Sequence, residues 1–233
     1  MFTYDDFISK VNELGFVANS NMLAGFPQVS DFSHESQWWT GDPETDPWMW
    51  QARSAREKKL VYGSFYRGKR GFISPEWFSV YYNAFHPTLT VGERHAEGKL
   101  GKYELQVWDL FAKENRILGT HEIRRLLGVT PKTGANSVDT AITNLCMTCD
   151  LVVAGDTDML DKDGVPYNKS ISYDLLENWI PSGWINPASQ VDPLQALEKI
   201  NNQLHKISGI DVSALTKIFG KQAKLNGIKA NKA

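Results

Sequence analysis

The chain has 233 residues, a net charge of −2, and 42% hydrophobic against 22% charged residues. That is the composition of a globular protein able to bury a core in one large domain or two small ones, and it excludes wholesale disorder. No run approaches the roughly 18 apolar residues of a membrane span, and Met1-Phe-Thr-Tyr-Asp-Asp6 lacks the basic and apolar regions of a secretory signal, so a cytoplasmic location is expected. The near-neutral total argues against a protein that merely coats DNA. It conceals an uneven distribution, however: residues 1–50 carry eight acids and one base, residues 51–100 nine bases and four acids, and residues 217–233 five lysines and no acid. Each basic zone suits a phosphate backbone, or is simply a solvated face.

In chain order, apolar spacing at Phe7, Ile8, Val11 and Leu14 predicts an amphipathic helix closed by Gly15. Residues 16–45 read as a long loop with short extended pieces. Asp46-Pro47 starts a helix running to about Lys59, with Asp as N-cap and Pro in the first turn. Leu60–Ile73 alternates as a strand pair around Arg67-Gly-Lys-Arg-Gly71, and Ser74-Pro75-Glu76 opens a helix to about Phe85. Pro87–Gly101 reads as an inter-domain linker.

The next stretch predicts a helix over about Gly101–Glu114, a short one over His121–Leu127 capped by Thr120, and a third from about Ala135 to Cys149. Strands at Leu151–Ala154 and about Tyr167–Ser172 flank the turn Asp161-Lys-Asp-Gly164. That order is the order of a winged helix-turn-helix. The fold class expected is α+β, mainly helical, with short β-hairpin wings. Its expected divisions are a helical and hairpin domain over 1–95, a winged helix-turn-helix over 96–182, and a C-terminal helix with a basic tail over 183–233. Val191–Ile207 supplies that helix; the tail after it reads as weak helix or disorder. Cys146 and Cys149 lack the four-ligand set of a zinc site, the five histidines show no metal spacing, and the cysteines read as reduced packing residues; neither metal nor cofactor is expected.

On the third helix, removing the apolar stripe leaves Asn136, Asp139, Thr140, Thr143 and Asn144 facing outward, with Lys132 just before it. Asn suits an adenine edge, but no Arg is present for guanine. Asp139 repels phosphate, and the wing adds only Lys162 and Lys169. This helix is a weak reader by itself and needs the basic first half.

Residues 38–50 concentrate Trp38, Trp39, Trp48 and Trp50, four of the eight tryptophans, with Asp42, Glu44 and Asp46. Two readings are open. Trp48 and Trp50 pack inward while Asp46 caps a helix; or the four rings form a base-stacking pocket whose carboxylates attract a cationic, alkylated base. In the second reading Arg53, Arg56, Arg67, Lys69 and Arg70, among neighbouring bases, hold phosphates.

Trp39-Thr-Gly-Asp-Pro-Glu-Thr-Asp-Pro-Trp-Met-Trp-Gln-Ala-Arg53, Tyr62-Gly63 and Gly68-Lys-Arg-Gly-Phe-Ile-Ser-Pro-Glu-Trp77 resemble the AlkZ-related bacterial proteins, as do Gly134-Ala-Asn-Ser137 and the Leu151–Tyr173 wing. These are small relatives of the AlkZ-type winged-helix DNA glycosylases, which unhook crosslinks and remove alkylated bases. The resemblance spans about residues 1–200. It implies duplex DNA as partner and handling of damaged bases. The active glycosylases carry a Gln-x-Gln or Gln-x-Asp motif; after the first helix this chain has Gly15-Phe-Val-Ala-Asn-Ser20 instead. A glycosidic hydrolysis here then needs a carboxylate, for which Asp42, Glu44 and Asp46 are the candidates, to stabilise an oxocarbenium-like transition state and orient water. Three readings stand: a DNA-binding protein on a glycosylase scaffold, an alkylbase hydrolase, and a non-catalytic small-molecule or protein-binding module.

Overall fold

The computed structural model describes residues 1–20, 24–185 and 191–225. Helix α1 (Tyr4–Leu14) starts from a reciprocal cap, in which the Thr3 side chain accepts from the Asp6 amide and the Asp6 carboxylate from the Thr3 amide. It ends on Gly15 at φ +85, a backbone state that glycine takes without penalty. The following segment does not stay a loop. β1 (Phe16–Ala18) pairs antiparallel with β3 (Lys69–Ile73), which also pairs with β2 (Val61–Tyr66), giving the order β1-β3-β2. All three β1 residues are buried, so no alternation betrays the strand. α2 (Pro47–Arg56) and α3 (Pro75–Phe85) start on the predicted caps, Asp46 and Ser74, each with proline in the first turn.

The expected linker instead holds helix α4 (Val91–Ala96), opened by a Thr90/Glu93 capping box. Its Arg94 is 1% exposed and ion-paired to Asp150 at 2.6 Å. A guanidinium withdrawn from water requires such a partner; Asp150 also accepts from the Thr148 hydroxyl at 2.5 Å.

Then come α5 (Lys102–Glu114), β4 (Leu118–Gly119), α6 (Thr120–Leu126), α7 (Ala135–Met147), β5 (Leu151–Leu160) and β6 (Pro166–Leu175). The strands form a second antiparallel sheet in the order β4-β6-β5. Thr120 is the first helical residue of α6 rather than its cap; Gly119 occupies the cap, with its amide held by Glu122 at 2.9 Å. α7 stops at Met147, and Cys146 and Cys149 are buried free thiols. Burial pushes the Cys146 thiol up to about 12.

α8 (Leu176–Trp179), α9 (Pro193–Ser208), α10 (Val212–Ile218) and α11 (Gly220–Leu225) complete the described chain. The tail thus contains two helices, while Lys229 and Lys232 lie outside the described residues. The fold is mixed α and β with helices predominating, and no described helix is long and apolar enough to cross a membrane.

One buried cluster joins Tyr4, Phe7, Trp50, Tyr62 and Phe72 to Val107, Phe111, Leu145, Leu151 and Tyr173. A second packs α9 and α10 against α3 through Phe78, Tyr81, Phe85, Ile200, Leu204 and Leu215. α2 packs along β5 at Gly155, where a β carbon would stand 3.2 Å from that of Arg56. This contact fixes the relation between the tryptophan-rich segment and the β5–β6 hairpin.

Candidate functional site

The four tryptophans separate. Trp50 is fully buried, stacked on Phe7 at 5.1 Å, and cannot receive a base; its place in the pocket is corrected to a place in the core. Trp38 is partly buried against that core, its indole N–H donating to the Ser33 hydroxyl at 3.1 Å. Trp39 and Trp48 remain exposed, at 67% and 49%, with ring centroids 4.2 Å apart. Trp39 holds φ +66, an uncommon state for a large side chain.

Asp46 secures this conformation. It is 1% exposed and accepts the amides of Trp39 (3.1 Å), Gly41 (2.9 Å) and Trp48 (2.9 Å). Buried and committed to those amides, it has no access to a substrate, which corrects its catalytic assignment. Asp42 is exposed and closes a local turn; the Glu44 amide and the Thr45 hydroxyl hold its carboxyl below the usual range. Glu44 pairs with Arg53 at 2.7 Å.

A cleft of about 540 Å³ opens between α2 and the β5–β6 hairpin. Trp48, Gln51, Ala52 and Arg56 line it from α2, at the i, i+3, i+4, i+8 spacing of one helix face. Asp156, Asp158, Tyr167 and Lys169 line it from the hairpin, and Arg70 from β3. None of Asp42, Glu44 and Asp46 lines it.

The cations of the cleft differ in their partners. Arg53 lies over the Tyr4 ring at 3.9 Å and pairs with Glu44 and Glu57. Arg56 pairs with Asp156 at 2.5 Å, and Lys169 stands 3.5 Å from Asp156 and 3.9 Å from Asp158. Arg70 instead contacts neutral groups, donating to the Tyr173 hydroxyl at 3.3 Å and standing 5.8 Å from the Tyr62 ring centroid.

The remaining predicted nucleic-acid contacts fall elsewhere. Lys132 is exposed in the turn before α7, Asn136 and Thr140 are exposed along that helix, and Lys162 is exposed in the β5–β6 turn. The β2–β3 turn carrying Arg67 and Lys69 meets α7 at Gly68, where a β carbon would lie 3.4 Å from the Thr143 methyl. Asn144 is 8% exposed and donates to Glu104 at 2.7 Å, so it is a helix-packing residue, not a groove contact. Asp139 is paired with Arg124, which offsets the repulsion expected of it.

Sequence reasoning missed Gln51, Asp156, Asp158 and Tyr167. The helical period through Trp48 would have flagged Gln51; the hairpin residues required knowledge that β5 and β6 face α2. One Gln-x-Asp tripeptide does occur, Gln190-Val191-Asp192, but Asp192 caps α9 and Gln190 lies outside the described residues. Among the described residues no group of His, Cys, Asp and Glu is placed to hold a metal.

A model of the family described as AlkZ related matches residues 1–220. A comparison with curated proteins finds no match. Among solved structures, the DNA glycosylase AlkZ of Streptomyces sahachiroi superposes with a TM-score of 0.50 at 13% identity, covering 93% of this chain and 57% of that one. The chain therefore spans little more than half of that protein's length, and the likeness is one of fold.

Proposed function

This chain belongs to the AlkZ-related family, and from that premise we propose that it binds DNA and receives a base in the cleft between α2 and the β5–β6 hairpin. The reading rests on one observation: the cleft sets the exposed Trp48 ring, in tilted contact with Trp39, beside Arg53, Arg56, Arg70 and Lys169. A flat ring gives an extruded base a stacking surface, and the surrounding cations hold its phosphates. We read residues 102–175 as a winged helix, with β5–β6 as the wing and the exposed side of α7, flanked by Arg67 and Lys69, as a second contact with the duplex. Handling of alkylated or otherwise damaged bases is part of the same proposal. If a glycosidic bond is cleaved, the carboxylates beside the bound base are Asp156 and Asp158 rather than Asp42.

Fluorescence anisotropy with a labelled duplex at 50 and 200 mM salt tests this. Four phosphate contacts would weaken binding by about a hundredfold between the two concentrations, and Trp48→Ala should weaken it further at either. Abasic-site formation on methylated duplex then separates hydrolysis from binding. A second reading, a small-molecule or protein-binding module, is favoured by the carboxylate partners of Arg53, Arg56 and Lys169. Absence of salt-sensitive DNA binding would establish it over the first.

A further inference from the structure

Most of the positive charge in the cleft is already answered by acids. Arg53 is held by Glu44 and Glu57, Arg56 by Asp156, and Lys169 stands near Asp156 and Asp158. Arg70 is the exception. It lines the cleft from β3 and forms no ion pair among the described residues. Its inner side meets neutral groups, the Tyr173 hydroxyl at 3.3 Å and the Tyr62 ring at 5.8 Å, both on buried residues. A half-buried guanidinium so placed gives up hydration without a counter-charge to offset the loss. One long bond to a hydroxyl leaves most of its fork of donors to whatever enters the cleft. The strand beneath it is fixed: β3 is the central strand of its sheet, and the Arg70 carbonyl accepts the Asn19 amide at 3.0 Å.

We propose that Arg70 is the phosphate anchor of the cleft: its guanidinium pairs with the unesterified oxygens of the phosphodiester belonging to the nucleotide whose base rests on Trp48. This deepens the base-binding reading above and rests on it. The ligand becomes a nucleotide within a strand, entering with one of its own phosphates, rather than a base alone. Trp48, Met49, Tyr167 and Ile171 supply aromatic and apolar surface for ring and sugar, and Arg70 supplies the charge that no acid has neutralised. A planar fork suits phosphate better than a lysine ammonium does. The single positive charge of Arg70 also matches the single negative charge of a diester. A free monophosphate carries more negative charge and meets Asp156 and Asp158 in the wall with less to offset them. Arg53, Arg56 and Lys169, neutralised in place, add a weaker attraction.

Anisotropy titrations of the full chain with labelled duplexes test the assignment. Each duplex has one unpaired central base, the nucleotide that costs least to extrude, and in a series one linkage at a time beside it is a neutral methylphosphonate. Arg70→Met should weaken binding of the all-phosphate duplex roughly tenfold or more and reduce the salt slope by about 0.9. At one linkage the methylphosphonate should cost the wild type as much, and cost Arg70→Met nothing further. Arg70→Lys, which keeps the charge without the fork, should restore the salt slope and only part of the affinity. Thermal unfolding checks that Arg70→Met is folded, and if it is not, Arg70→Lys carries the same linkage test. A merely structural role would lower stability without singling out one linkage. An unchanged salt slope in Arg70→Met, or losses that add at every linkage, would overturn the proposal and leave DNA binding standing. Absence of salt-sensitive binding in the wild type would remove the base-binding reading and this one with it. Competition by free deoxyadenosine monophosphate that depends on Arg70, when no linkage does, would assign the anion to a free nucleotide and overturn the diester.

Discussion

Asp46 shows how a side chain with ordinary local signals acquires several tasks. From Asp-Pro it is a helix cap, and it does accept the Trp48 amide. The same carboxylate also gathers the amides of Trp39 and Gly41, so it holds the loop that presents the exposed ring pair. Asp46→Ala removes three charge-assisted hydrogen bonds from a buried position, and a loss of about 3 kcal/mol in urea-unfolding stability is expected. Asp46→Asn, which keeps an acceptor oxygen, should lose less. Trp39 and Trp48 emission should shift in the alanine variant as their contact loosens. A near-neutral result for Asp46→Ala would mean that the loop is held by other contacts. Its neighbours were read with less success, because an aromatic residue carries the same sequence signal inside a core as in a pocket. Trp50 and Trp48 are two residues apart on α2, so the turn of the helix alone decides which is buried and which faces out.

At the scale of elements, caps and glycines were legible and tertiary pairings were not. The starts of α2, α3 and α9 lie within two residues of their predicted positions because each carries a capping residue or a proline in its first turn. β1 escaped notice because it is buried on both faces, and α4 because its polar composition hid an arginine that is inside the protein. The cleft itself depends on a contact between elements that local patterns do not report, the approach of α2 to β5 at Gly155. Gly155 holds φ +144 with the Arg56 β carbon in its path. Gly155→Val therefore meets both backbone strain and a clash, for an expected loss of about 3 kcal/mol, with the Arg56–Asp156 pair separated. Gly164→Ala in the hairpin turn is the control, since its φ of +80 is also positive, though less demanding, and its surroundings are open. It should cost about 1 kcal/mol and leave the cleft intact. A loss at Gly155→Val no larger than that at Gly164→Ala would show that close approach to α2 contributes nothing.

At the scale of the molecule, the polar stretch before residue 101 suggested a boundary between two domains, but burial pays no regard to it. The larger core cluster takes Phe7, Trp50 and Phe72 from one side and Val107, Phe111 and Leu145 from the other. Arg94, within the expected linker, is locked to Asp150 at the foot of β5, and α9 returns to pack on α3. Apolar surface shared in this way is exposed on both sides if either half unfolds, so neither half has an independent reason to stay folded. The expected outcome is one cooperative transition, with equal calorimetric and van't Hoff enthalpies. Phe111→Ala tests the coupling: Phe111 is 1% exposed in the shared cluster, and its truncation should cost about 3 to 5 kcal/mol. The loss should appear as the same downward shift in tryptophan fluorescence, which reports largely on the first half, and in far-ultraviolet circular dichroism, which reports on all helices. Two separated transitions, with only one displaced by the substitution, would instead restore the division into independently folding halves and make the cleft an interface between them.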